Sequence, residues 1–128
     1  MKIKLSDYIA NFLVENGITD MFTVTGGGSM HLNDSFGHKN GLHCTYNHNE
    51  QASAMAAEAY ARINNKIAGV CVTMGPRASN AITGVLCGYM DSIPMLIFSG
   101  QSRYATCVRS TGLSLRTMGT QEFDITRA

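Results

Sequence analysis

Between residues 5 and 16 the apolar side chains Leu5, Tyr8, Ile9, Phe12 and Leu13 recur at the three-and-four spacing of one helix face. Ser6 or Asp7 offers a start signal and Gly17 a stop, so the pattern predicts a helix that ends just before residue 17. "MFTV" (21–24) is short and β-prone, and it runs straight into "TGGGSM" and a helix over about 29–37. "LHCTY" (42–46) predicts a second strand, followed by an alanine-rich helix from Glu50 to about Ile63. "IAGVCVT" (67–73) is apolar without alternation, as expected of a parallel strand buried on both faces. "MGPRASN" leads into a helix over 78–90, and "IPMLIFSG" (93–100) predicts a fourth strand. After Gly100 the pattern weakens to a loop with a short helical or extended piece.

Strands that alternate with helices through short connections define an α/β fold, an open and mostly parallel sheet with helices on both faces. Three of the strands run into glycine, and such sheets bind ligands beyond the carboxyl ends of their strands. The 128 residues amount to one domain with no repeat, linker or low-complexity tract. No apolar run approaches the roughly 20 residues of a membrane span. Asp7, Asn11, Glu15 and Asn16 interrupt the N-terminal apolar positions, which argues for a helix there and against a signal peptide. With a net charge of +1 and no basic run, nucleic acid is excluded as an expected partner. Cys44, Cys71, Cys87 and Cys107 are widely spaced and form no C-x-x-C pair, which fits a reducing cytoplasm.

The candidate chemistry is sparse. "TGGGSM" could cradle a phosphate or simply permit a tight turn; it lacks both the dinucleotide fingerprint and the P-loop spacing. His31, His38, His43 and His48 make no metal-binding pair on one helix, and no metal site is expected. No G-x-S-x-G elbow occurs. Met55, Met74, Met90, Met95 and Met118 are expected to fill the core. Glu50 opens the helix in "YNHNEQASAMAAEAYARINN", where a carboxylate complements the helix dipole by roughly 0.3–1 kcal/mol.

Taken in order, these segments resemble the N-terminal, pyrimidine-binding domain of thiamine-diphosphate-dependent enzymes of the acetolactate synthase and 2-keto-acid decarboxylase type. "NGITDMFTVTGGGSMHLNDSF" is similar to the segment carrying that family's paired glycines, here Gly26 and Gly27. "NHNEQASAMAAEAYAR" resembles the segment bearing its catalytic glutamate, which falls on Glu50. "GVCVTMGPRASNAITGVLCGYMDSIPMLIFSGQ" and "GTQEFDIT" match the two later motifs. The resemblance implies that the Glu50 carboxyl hydrogen-bonds N1′ of the aminopyrimidine and so promotes loss of the thiazolium C2 proton. It further implies that Gly26, Gly27, Gly75, Pro76 and Asn80 lie at the cofactor and that Gln121 lies on the substrate side. The small residues Ala52, Ala54, Ala56 and Ala57 would then pack against a helix of a second copy, in a homodimer.

Three positions depart from the family pattern: Thr25 replaces a proline, Asn49 stands directly before Glu50 where a histidine is usual, and Arg77 replaces the last glycine of "G-P-G". An arginine forced to positive φ costs on the order of 1 kcal/mol relative to glycine. Arg77 is also a candidate grip for an anionic substrate. In the family the diphosphate and Mg²⁺ are held by another domain through a "G-D-G" motif, which this sequence lacks. The expectation is a piece of a longer protein, or one subunit of a split enzyme, silent alone and acting with a diphosphate-binding domain or subunit on a 2-keto acid. A non-catalytic flavodoxin-like module, binding a nucleotide or flavin or only dimerising, is the alternative.

Overall fold

The structure is a computed structural model, and it describes residues 2 to 124. Helix α1 (Leu5–Glu15) precedes strand β1 (Asp20–Thr23), and Gly17, with φ at +74°, turns the chain between them. A 3₁₀ turn (Gly27–Ser29) opens helix α2 (Met30–His38), after which come strand β2 (His43–Tyr46) and helix α3 (Glu50–Asn64). Strand β3 (Ala68–Val72), helices α4 (Pro76–Ser79) and α5 (Ile82–Met90) and strand β4 (Met95–Ser99) follow, then a short helix α6 (Val108–Thr111).

The four strands form one parallel sheet in the order β2-β1-β3-β4. All five residues of β3 are buried, because this strand is covered on both sides as the unbroken apolar run predicts. One face of the sheet carries α1 and α2, with Ala10, Leu13, Ile18, Met21 and Phe36 in the core and Phe36 set edge-on to Phe98 at 5.7 Å. The other carries α3, α4 and α5, with Ala54, Ala57, Ala61, Val70, Val72, Ala78 and Ala81. The expected α/β architecture with helices on both faces is what the chain adopts.

Two expectations about helices change. The helix over 78–90 is broken at residues 80–81, giving α4 and α5. The alanine stripe of α3 is divided between inside and outside: Ala54 and Ala57 are fully buried within this chain and unavailable to a partner, whereas Ala52 is exposed. The methionines also differ, since Met55, Met90 and Met118 are exposed and, among the described residues, the fully buried one is Met21 on β1.

Candidate active site

Strand order places the switch point of the sheet between β1 and β3. The chain leaves β1 toward β2 on one side and crosses back to β3 on the other, and at such a point open α/β sheets hold ligands in the crevice outside the carboxyl ends of their strands. The loops that follow β1, β2 and β3 all emerge there, and they carry the glycine triplet, Glu50 and the Gly75–Pro76 turn.

The β1 and β3 loops are tied closely. Val24 N–H donates to Cys71 O at 3.2 Å, and Gly28 N–H donates to the Thr73 hydroxyl at 3.0 Å. Thr73 is buried, and it leaves no room for a side chain opposite: a Cβ on Gly26 would stand 2.6 Å from the Thr73 Cβ. Gly27 differs, because a Cβ there would meet nothing within 4 Å. The triplet therefore has backbone packed against Thr73 on either side of an open central residue.

Glu50 is the first residue of α3 and is only 7% exposed. Asn49 performs the capping that its position calls for: in extended conformation, it accepts the Ala52 N–H on Oδ1 at 3.1 Å. Asn47 reinforces the entry with an amide hydrogen bond to Ser53 Oγ at 3.1 Å. The helix start is thus satisfied without the Glu50 side chain. Its carboxyl is held elsewhere, by Asn80, whose Nδ2 donates to Oε2 at 2.8 Å. Oε1 accepts no hydrogen bond from the described residues, and it is not among the fully buried atoms lacking a partner, so it stays open to an incoming group.

Gly75 caps α4 at φ +64°, and a Cβ there would run into the carbonyl of Gln121. The segment after α6 therefore folds back onto the β3 loop, held also by Gln101 Nε2 donating to Phe123 O at 2.8 Å. Pro76 occupies the first turn of α4, where its missing N–H costs nothing. A groove of about 460 Å³ lies between α4 and this returning segment, lined by Pro76, Ser79, Arg116, Thr117, Gln121 and Phe123, with Glu122 also on its wall. Glu50 does not line it.

The site residues expected from sequence are thus partly brought together. Glu50 and Asn80 touch, Gly75 and Gln121 touch, and Gly26 and Gly27 lie on the neighbouring loop. Arg77 stands apart. It lies inside α4 and is not at positive φ; Gly75, two residues earlier, takes that conformation, so the strain expected of Arg77 does not arise. Its side chain is exposed and absent from the groove wall, where Arg116 is the cation instead. His48 is exposed, and among the described residues no group of three or more potential ligands could hold a metal ion. Of the last motif, Ile125 and Thr126 lie outside the described residues.

Sequence reasoning missed Thr73, Gly28 and Glu122. Gly28 carried a signal as the third glycine of the triplet. Thr73 and Glu122 stood inside the matched motifs without being singled out: Glu122 is only 7% exposed, and its Oε2 has no hydrogen-bond partner among the described residues, which becomes visible only after the chain returns.

Comparison with known proteins accords with this geometry. Residues 3–127 match the family model "Thiamine pyrophosphate enzyme, N-terminal TPP binding domain". The chain is 40% identical over 96 residues to the acetolactate synthase large subunit of Buchnera aphidicola subsp. Schizaphis graminum, covering 75% of this chain and 17% of that protein. It is 34% identical over 96 residues to the acetolactate synthase isozyme 3 large subunit of Escherichia coli, covering the same 75% of this chain and 17% of the relative. To the probable acetolactate synthase large subunit of Methanococcus aeolicus it is 42% identical over 82 residues, which is 63% of this chain and 13% of the relative. The matched part is thus a small fraction of each relative's length. By a family match over nearly its whole length, and by the parallel sheet that carries the matched motifs, this chain belongs to the N-terminal thiamine-pyrophosphate-binding domain family of thiamine pyrophosphate enzymes.

Proposed function

We propose that the chain is the pyrimidine-binding part of an enzyme that uses thiamine diphosphate on a 2-keto acid, in a decarboxylation or an acetolactate synthase-like carboligation. The observation that carries this reading is the carboxyl of Glu50, buried at the crevice with one oxygen held and the other open. When bound, thiamine diphosphate supplies a carbon nucleophile at its thiazolium C2, able to add to a keto carbon.

The residues fit the pyrimidine end of that group. Glu50 would hold a ring nitrogen of the aminopyrimidine at Oε1 and share a proton with it. The low exposure of its carboxyl keeps that proton from being lost to water. Gly27 leaves the main chain approachable while Gly26 packs against Thr73, and the Gly75–Pro76 turn follows the neighbouring strand β3. On the substrate side the reading rests on Gln121, at the groove beside Pro76; Arg77 does not reach that groove.

These residues form one wall only. Among the described residues Glu50 does not line the groove beside α4, and in this reading the diphosphate and its Mg²⁺ belong to another domain or subunit. A homodimer would use the outward side of α5, where Leu86, Tyr89 and Met90 stand exposed at helical spacing, with Met55 of α3 beside them. The four free thiols suit a cytoplasmic setting.

The test is deuterium exchange at C2 of thiamine diphosphate with Mg²⁺, measured on the enzyme assembled with its diphosphate-binding part. Glu50→Gln should retain the fold and slow exchange by about a hundredfold or more. Equal exchange in the variant and the native enzyme would end the assignment.

A further inference from the structure

Helices α3 and α5 run side by side in the same direction, each following a strand of a parallel sheet, and residues thirty positions apart face one another along them. Asn80, in the break before α5, meets Glu50 at 2.8 Å. One turn further, a Cβ on Gly84 would stand 2.6 Å from the Cβ of Ala54 and 2.9 Å from the Met55 nitrogen, so only glycine allows the helices this close. After another turn, a Cβ on Gly88 would lie 3.7 Å from Cγ of Glu58. At the far end Arg62 of α3 pairs with its own Glu58 and with Asp91 just past α5. The two helices are therefore locked in register over their whole shared length, and the first rung of that ladder is the carboxyl at the site.

We propose that Asn80 is a positioning residue for Glu50. Its amide holds Oε2 and leaves Oε1 without a hydrogen bond among the described residues, while Gly84 sets the helix separation at which the amide can reach. The proposal rests on the reading of Glu50 as the cofactor's activator, and it gives Asn80 a contact with the glutamate in place of the direct cofactor contact that resemblance implied. Asn80 stands at the end of α4 with helical backbone dihedrals, and its N–H still donates to Pro76 O at 3.1 Å, so its side chain leaves a fixed backbone on the side that meets the start of α3. A carboxylate oxygen is an acceptor, so the NH₂ of Asn80 must face it, and reversing the pair chemically is a direct test.

The first measurement needs no cofactor: urea unfolding of the 128-residue chain. Asn80→Asp sets acceptor against acceptor and should lower the folding equilibrium constant about tenfold. Adding Glu50→Gln restores a donor–acceptor pair with reversed polarity and should recover most of that loss. The second measurement is C2 exchange at saturating cofactor in the assembled enzyme. Asn80→Ala should slow exchange by roughly ten- to a hundredfold, the scale of a misplaced catalytic group, with cofactor affinity unchanged. The folded Asn80→Asp/Glu50→Gln pair should remain silent, because its carboxylate now stands on the wrong helix. A double variant no more stable than Asn80→Asp alone would overturn the proposal. So would an Asn80→Ala enzyme with weakened cofactor binding and native exchange at saturation, since that marks a cofactor contact. Failure of the underlying reading shows separately, as native exchange in Glu50→Gln by itself, and would take this role for Asn80 with it.

Discussion

Cys71 shows how far one residue's chemistry is set by its surroundings. It sits in the central strand β3, fully buried, and burial pushes its thiol from the ordinary 9.0 up to about 11. The folded state therefore favours the neutral thiol. Its contribution to stability is complete below pH 9 and is lost as pH rises toward 11, because the unfolded chain ionises first. Urea unfolding across that window should show a steeper fall in stability than Cys71→Ala does, the remainder coming from Cys44, Tyr46 and Tyr60, whose values are also raised. Cys87, exposed on α5, should react with a thiol-alkylating reagent well before Cys71 does, as peptide mapping will show. Apolar segments around Cys71 and Cys87 make both read as core thiols in the sequence; Cys71 is buried, but Cys87 lies on the outer side of α5 and is exposed. At Arg77 legibility failed, for a reason of backbone geometry: the positive φ belongs to Gly75, and no spacing rule says which residue of a "G-P-R" turn takes it.

The elements were largely legible, because local spacing and end signals decide them. Each of the expected strands and helices exists, displaced by a residue or two at the ends, except that the helix over 78–90 divides into α4 and α5. The helix that presents Glu50 owes its start to Asn49, whose side chain occupies the Ala52 N–H. Asn49→Ala should cost about 1 kcal/mol of stability, and Asn49→Asp, which keeps the acceptor, should cost much less. Thermal unfolding of the two variants distinguishes this capping role from a catalytic one, which a conservative exchange would not preserve. Asn49 thus accounts for one departure from the family pattern on structural grounds.

For the whole molecule, each side of the sheet carries a helix with an exposed apolar stripe. On the α1 side Leu5, Tyr8 and Phe12 are exposed; on the α5 side Leu86, Tyr89 and Met90 are. The proposed homodimer uses the second, and it predicts self-association that rises with protein concentration. Sedimentation velocity should find the native chain shifting toward a dimer and a Leu86→Lys/Tyr89→Lys chain remaining monomeric, with unchanged far-UV circular dichroism. A native chain that stays monomeric throughout would remove that face from consideration. Of the alanines that resemblance set against a partner, Ala54 instead lets α5 come close to α3 within one chain, and Ala57 is buried in the same core.

By itself the sequence determined the order and type of the elements, the parallel sheet, the buried central strand and the identity of the carboxyl at the start of α3. Each of these follows from the spacing of neighbouring residues or from motifs a few residues long. Only the tertiary structure decided that Ala54 and Ala57 face inward, that Asn80 grips one oxygen of Glu50, and that Gln121 closes over Gly75. Those contacts join residues thirty or more positions apart, and they depend on how closely two helices or two loops can approach. That distance is set by the glycines and alanines between them, side chains too small to leave a hydrophobic pattern.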